Sequence, residues 1–337
     1  MTSLTLKQEA LIELLKRYPN APTLTLAKLA FKTEHVLFST VEDARSGLRY
    51  LRGANGNHDR KNLACKEFVR PPQPHSSFAA LPQSLTHFND WKAVQVDGPL
   101  RALVLSDLHI PYHDFNAVTA ALKFGKKYKP THILLNGDIA DHFSVSFWDK
   151  DPRHRNFKNE VSDVLAFLHT LRDGFPKAKI IYKLGNHEER YERYMKVRAP
   201  ELLGVGDFEL GNIYDLNNFR IELVDERRPI RLGKLNTVHG HEFRFAISGP
   251  VNPARGFYMK AKTRVLGGHF HHASSHSDKS IEEHVIASWS TGCLCDMHPD
   301  YAPINNWCHG FATVEIDSKG AFSVDNMKII DNQVYHA

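Results

Sequence analysis

Cysteine is scarce in this chain: Cys65, Cys293, Cys295 and Cys308 are four among 337 residues, unevenly spread. That excludes the disulfide framework of a small secreted domain. No stretch reaches the roughly 18 uncharged apolar residues that a membrane helix needs, and no membrane partner is expected. The opening residues, MTSLTLKQEALIELLK, mix acids into an amphipathic pattern without the apolar centre of a signal peptide. No Gln-, Ser- or Gly-rich tract marks a disordered or fibrous class. A cytoplasmic globular protein is the expectation, long enough for an α/β catalytic domain and a smaller unit.

Charge is small in sum and uneven in place. The net charge is +5, and residues 1–75 carry 12 Lys and Arg against 7 Asp and Glu. The remaining residues hold 31 of each sign. All the positive excess therefore lies in the N-terminal fifth, which points to an anionic partner for that segment. Histidine is abundant at 21, with many beside Gly, Asp or Asn. Turns of that kind can present imidazoles as metal ligands.

Three regions follow from patterning. Residues 1–70 read as an all-helical, basic domain. Leu6, Ala10 and Leu14, with Leu11 and Leu15, make one apolar face over 6–18, and Pro19 and Pro22 end that helix. Thr25 is placed to cap a short second helix to Phe31. Ser39 and Glu42 have capping-box spacing and open a third helix to Gly53. On it Val41, Ala44, Leu48 and Leu51 form an inward face, and Arg45, Arg49 and Arg52 repeat one position later. Two readings stand for this stripe: a helix-turn-helix reader of nucleic acid, or a solvated face on a small cap.

Residues 71–99, with Pro71, Pro72, Pro74, Pro82 and Pro99, read as a linker. Residues 100–337 read as the catalytic domain. Apolar runs at 102–106, 131–136 and 179–184 suggest buried strands, with helices around 115–128 and 158–173 between them, the signature of βαβ units. Further strands are expected at 219–224, 235–239, 264–267, 283–289, 310–316 and 321–330, as a second sheet packed on the first.

Five of these strands end in ligand-rich turns: Asp107-Leu108-His109, Gly137-Asp138-Ile139-Ala140-Asp141, Gly185-Asn186-His187-Glu188, His239-Gly240-His241, and Gly268-His269-Phe270-His271. Turns at strand carboxyl ends converge on one crevice in α/β sheets. The ordered set D-x-H, G-D-x-x-D, G-N-H-[DE], H-G and G-H-x-H resembles the calcineurin-like metallophosphoesterase family over roughly residues 100–320.

That resemblance implies a four-layer αββα sandwich of the α/β class, carrying two divalent metal ions in the loops above it. It implies that Asp107, His109 and His271 hold one ion, that Asn186, His239 and His269 hold the other, and that Asp138 bridges both. His187 would lie beside the leaving group as general acid. Two cations clamped by one carboxylate polarise a phosphoryl group and activate a water for attack. Manganese is expected by family habit, with iron or zinc suiting the same mixed N/O ligands.

Other residues read differently. Asp141 is expected to brace its loop or a ligand histidine, and Glu188 to cap the helix after Asn186. His113, His142, His241 and His272 are expected to face substrate or support ligands. Gly56-Asn57-His58-Asp59 copies G-N-H-D but follows a helix and no apolar strand, so it reads as a turn. Cys293, Cys295, His298 and Cys308 lack C-x-x-C spacing and read as strand and loop packing.

The substrate is less fixed. The family's protein phosphatases carry an arginine after the second motif, to grip a phosphomonoester dianion; here His142 and Phe143 follow Asp141. With the basic N-terminal unit this favours a phosphodiester, hence nucleic acid, cleaved by a nuclease or phosphodiesterase. A phosphomonoesterase acting on a small phosphoester or a phosphoprotein, its N-terminal unit serving assembly, and a DNA-binding module with a vestigial metal site are the alternatives.

Overall fold

The computed structural model describes residues 4–54, 92–148, 156–224, 227–245 and 250–336. The chain divides into two compact units, residues 1–90 and 91–337. The G-N-H-D copy at Gly56–Asp59, Cys65 and residues 71–91 of the Pro-rich segment lie outside the described residues.

In the first unit, α1 (Leu6–Arg17) opens on a capping box between Thr5 and Gln8. α2 (Thr23–Thr33) begins after Pro22, so Thr25 lies inside the helix and does not cap it. α3 (Val41–Leu51) is capped by Thr40, whose hydroxyl accepts from the Asp43 N–H. Ser39 instead donates to the Asp43 carboxylate. The cap is thus one residue later than Ser39–Glu42 spacing suggested, because Thr-x-x-Asp satisfies the same orphan N–H equally well. Leu11, Leu15, Leu26, Ala44, Leu48 and Leu51 bury into one small core.

The second unit runs β1 (Val94–Val96), β2 (Leu100–Leu105), α4 (Phe115–Tyr128), β3 (His132–Asn136), α5 (Phe157–Gly174), β4 (Lys179–Lys183), α6 (Glu188–Arg198), α7 (Leu210–Ile213) and β5 (Ile221–Val224). It continues through β6 (Ile230–Leu232), β7 (Leu235–Thr237), α8 (Pro253–Ala261), β8 (Val265–Gly267), β9 (Ser274–Lys279) and β10 (Val285–Ser290). It ends with β11 (Gly310–Ile316), β12 (Phe322–Ile330) and β13 (Gln333–His336). One sheet has the order β13-β12-β11-β2-β3-β4-β5, the other β1-β6-β7-β8-β10-β9.

Period-2 alternation assigns each face. On β2, Leu103 and Leu105 join the core shared with α4 and α5, whereas Ala102 and Val104 join the core between the sheets. On β3, Ile133 and Leu135 face the helices and Leu134 faces the other sheet. Phe257 of α8 packs with Val238 and Val265 on the far side of the second sheet. The result is the four-layer αββα sandwich. Truncating an inward side chain such as Leu103 to Ala should cost about 2–5 kcal/mol.

The second sheet is not simply the later half of the chain. β5, β11, β12 and β13 all belong to the first sheet, with β11 antiparallel to β2 and β5 parallel to β4. Alternation marks a strand as buried but does not say which edge it joins. Val94–Val96, inside the expected linker, pairs in parallel with β6 at the edge of the second sheet. A three-residue strand is too short to show a period.

Candidate metal centre

All five motif turns leave strand carboxyl ends: β2, β3, β4, β7 and β8 precede Asp107, Asp138, Asn186, His239 and His269. Five of the residues expected as ligands have left-handed backbone, Asp107 (φ 56°), His109 (52°), Asp138 (52°), His269 (71°) and His271 (55°). Such conformations cost about 1–3 kcal/mol each and persist where packing over-determines them. They turn side chains sharply off the strand ends. Gly185 makes the same approach possible: a Cβ there would collide with the Asp138 carboxylate and its backbone N.

The structure brings all seven expected ligand side chains together. Asp107 Oδ1 lies 3.3 Å from His271 Nε2, which lies 3.2 Å from His109 Nε2. His239 Nε2 lies 3.1 Å from Asp138 Oδ2 and 3.2 Å from Asn186 Oδ1. His269 clusters with Asp138 and His239, and Asp138 also clusters with His109, so this carboxylate joins the two groups.

The donor set fits divalent cations. His109 Nδ1 is 3.0 Å from Asp141 Oδ2 and His239 Nδ1 is 2.9 Å from the Asn136 carbonyl. Both acceptors hold the ring hydrogen on Nδ1, leaving the Nε2 lone pairs to point inward. Two such nitrogens 3.2 Å apart, as in His109 and His271, repel unless a proton or a metal cation lies between them. Burial pushes the His239 imidazole down, but Asp138 and Asp107 overcome it and hold its pKa at about 10. That negative field is what a metal ion would meet.

A shell of buried hydrogen bonds fixes the loops. The Glu188 carboxylate, at the first turn of α6, accepts from the N–H groups of Asp138 (3.0 Å), Ile139 (2.8 Å), Ala140 (3.1 Å) and Gly185 (2.8 Å), and from the Tyr182 hydroxyl (2.8 Å). None of these donors belongs to α6, so instead of capping that helix by a hydrogen bond the carboxylate bolts the second motif to the third. Lys183, fully buried at the end of β4, pairs with Glu242 at 2.9 Å. Glu242 in turn accepts from the N–H groups of His239 and Gly240. Burial pushes the Glu242 carboxyl up, and the Lys183 ammonium pulls it down to about 2.

His187 is buried, with Nδ1 3.0 Å from Asp141 Oδ2. Its Nε2 accepts from Arg190 Nη2 at 2.9 Å, and Arg190 Nη1 lies 3.0 Å from Asp141 Oδ1. The nitrogen expected to deliver a proton is therefore an acceptor here. Arg190 also supplies a full positive charge at the site, where the sequence offered His142 and Phe143 in place of the phosphatases' arginine. It lies one helical turn after His187 on α6, and no motif position announced it. The i, i+3 spacing from His187 was the available signal.

Other expectations change. His142 does not face substrate: it is buried, hydrogen-bonds the Tyr214 hydroxyl through Nε2 and stacks on that ring. Burial pushes its pKa down to about 4. His241 Nε2 pairs with Glu189 at 3.1 Å. Cys295 is more than packing, since its thiol sits 3.8 Å from His271 Nδ1 and groups with His109 and His271. Trp307 lies edge-on to His271 at 4.1 Å. A sixth turn, after β10, thus reaches the centre, and its lack of a recognisable ligand spacing hid it.

In the first unit the arginine stripe is broken. Arg45 pairs with Glu42 at 3.1 Å, while Arg49 is exposed. Arg52 turns inward and donates to Thr23 Oγ1 (2.9 Å) and the Ala21 carbonyl (2.8 Å). It lies just past the end of α3, where the helical repeat no longer sets its direction.

Among the described residues, no helix is long and apolar enough to cross a membrane. A profile described as calcineurin-like phosphoesterase matches residues 100–289. The chain is 26% identical over 254 residues to the Gene 54 protein of Mycobacterium phage L5 and to that of Mycobacterium phage D29, covering 67% of this chain and 96% of each relative. Among solved structures, it is similar to a dimetal phosphatase from Danio rerio (11% identity, TM-score 0.35, covering 69% of this chain and 96% of that one). It is also similar to the phosphoesterase Yfce from E. coli (15% identity, TM-score 0.31, covering 66% and 97%). With more than half of its length matched by the profile, the chain belongs to the calcineurin-like phosphoesterase family.

Proposed function

We propose that this chain is a two-metal phosphodiesterase acting on nucleic acid. The observation that carries hydrolysis is the convergence of Asp107, His109, Asp138, Asn186, His239, His269 and His271 on two groups joined at Asp138. Asp107, His109 and His271 would hold one ion, Asn186, His239 and His269 the other, with Asp138 common to both. When bound, two divalent ions, manganese by preference, supply Lewis-acid charge and lower the pKa of a water.

The chain's own residues handle the leaving group. Asp141 holds the His187 ring through Nδ1, so Nε2 is the atom that can give a proton to the departing oxygen. Arg190 now occupies that nitrogen. A phosphoryl oxygen drawn to the guanidinium would take over its N–H, releasing Nε2 to carry the proton. Arg190 is already matched by Asp141, and exposed Asp296 and Asp300 lie in the cavity that His109 and Asp141 line. That charge balance suits a monoanionic diester better than a dianion. The basic N-terminal unit suits a polyanionic chain.

A second reading, phosphomonoester hydrolysis, is favoured by Arg190 itself, since a guanidinium can grip two phosphoryl oxygens. A panel of bis-p-nitrophenyl phosphate, p-nitrophenyl phosphate, single- and double-stranded DNA and RNA, each with manganese, iron or zinc, separates the two. Diesters and nucleic acid should be turned over fastest. Faster turnover of the monoester, with nucleic acid untouched, would put the second reading first.

A further inference from the structure

Beside the metal centre lies a cavity of about 230 Å3 whose aromatic walls the phosphoesterase reading does not use. It meets the centre through His109 and Asp141, and the rings of Tyr112, Phe143 and Tyr301 line it. Tyr112 and Phe143 meet edge to face at 6.4 Å. Tyr112 is 45% and Tyr301 72% exposed, large aromatic surfaces left in water next to a reaction site. The Tyr301 ring continues the wall to Trp307 (6.2 Å), which packs on His271. Asp296 and Asp300 add two carboxylates.

We infer that this cavity is a nucleobase subsite, taking the flat, amino-bearing ring of the leaving nucleoside. The inference rests on the phosphoesterase reading of the metal centre. Two exposed carboxylates, those of Asp296 and Asp300, repel a second phosphate, so the cavity does not continue a backbone track. A purely aliphatic group would offer no donor to the exposed Asp296 and Asp300 carboxylates, of which, among the described residues, Asp296 accepts only from the His298 N–H. A heterocycle with an exocyclic amine stacks on the rings and donates to an acid. The cavity is smaller than the roughly 300–1,000 Å3 of sites for drug-sized ligands and suits a single ring system. Its location identifies the leaving side, because Asp141 also holds His187, the group placed to protonate the departing oxygen.

The test is calorimetric binding to the full chain loaded with manganese, using inorganic phosphate, ribose 5-phosphate, adenosine 5′-monophosphate and uridine 5′-monophosphate. The adenine nucleotide should bind about ten- to a hundredfold tighter than ribose 5-phosphate, the range of one base on an aromatic platform. It should also bind tighter than the uridine nucleotide, whose ring lacks an exocyclic amine. In Tyr112→Leu/Tyr301→Leu the ratio of adenine nucleotide to ribose 5-phosphate should collapse towards one. Tyr301→Leu alone, at an exposed position, should lower it in part if the double variant fails to fold. Equal affinity of the two ligands in the parent, or an undiminished ratio in the variants, overturns the subsite and leaves the metal centre standing. Absence of phosphate binding by the parent overturns the metal-centre reading, and the subsite with it.

Discussion

The two units of this protein place charge in opposite ways. In the unit from residue 91 on, Asp107, Asp138, Glu188 and Lys183 are almost wholly buried, and each is met by named partners. In the first unit the core is apolar and charges lie outside it, with Lys7 bridging to Asp43 and Arg45 to Glu42. Exposed pairs of that kind contribute about 0–1 kcal/mol. Buried charges are costly unless they are matched. A fold that keeps a cluster of them, several on left-handed backbone, retains it for chemistry. Among the described residues of the first unit, Arg45 pairs within its own helix with Glu42, and Arg52 ties the end of α3 to Thr23 and Ala21.

The contrast can be broken most sharply at Asp138. Asp138→Asn removes the one carboxylate common to both metal groups, and activity on every substrate should fall by more than about a hundredfold, the loss that even an outer-shell partner can cause. Elemental analysis should show about two ions per parent chain and fewer in the variant. Full metal content with full activity in the variant would remove Asp138 from the centre. Asp59→Asn, in the look-alike motif, should change neither quantity.

His187→Ala comes next. Loss of a general acid costs about 10²–10⁴-fold, but only where the leaving group needs a proton. A nucleoside alkoxide should suffer that loss, and p-nitrophenyl esters far less, with metal content kept. Arg190→Gln should reproduce part of the effect and shift the pH–rate profile, because Arg190 acts on His187 Nε2. Equal losses on both ester types would remove His187 from the acid role.

Lys183→Ala tests buried charge without touching substrate. Leaving the largely buried Glu242 without its ammonium partner should cost up to about 3–5 kcal/mol in denaturant unfolding, less what the His239 and Gly240 N–H groups still supply. The pH dependence has a definite sign. The Glu242 carboxyl is held at about 2 in the fold against an ordinary 4.5. Its contribution is therefore present above pH 4.5 and drains away as pH falls towards 2. In the variant the folded value should rise, shrinking that acid-side loss. A variant as stable as the parent at pH 7 would show the pair to be dispensable.

Much of this is legible in the sequence. β2, β3 and β4 are apolar runs, and the turns after them carry the motif residues that the structure gathers. Several hidden features depend on contacts between segments distant in sequence. Lys183 reads as one more polar end of a strand until Glu242 arrives from another sheet. Cys295 and Trp307 reach His271 only because β10 runs parallel to β8. Short edge strands such as Val94–Val96 have no period to read. Arg52 fits a helical stripe in sequence, yet its position past the last turn of α3 lets it bend back to Thr23 and Ala21.

The smallest effect expected belongs to the first unit, and it decides whether the comparison between units is complete. Arg52→Ala should be avoided as a probe, because losing its two hydrogen bonds costs about 1.5–3 kcal/mol each for a charged donor and would confuse folding with binding. Arg45 and Arg49 are the clean pair. Arg49 is exposed, and the exposed bridge from Arg45 to Glu42 is weak enough to yield to a phosphate. If each contacts one phosphate of duplex DNA, replacing both by Ala should flatten the log–log dependence of affinity on salt by about 1.8 units. Fluorescence anisotropy of a labelled duplex across a salt series measures that slope. Hydrolysis of bis-p-nitrophenyl phosphate should not change, since neither arginine belongs to the unit that carries the metal centre. An unaltered slope and affinity would show that α3 does not hold the DNA. The basic excess would then belong to assembly, and a small phosphoester would become the leading substrate for the centre built around Asp138.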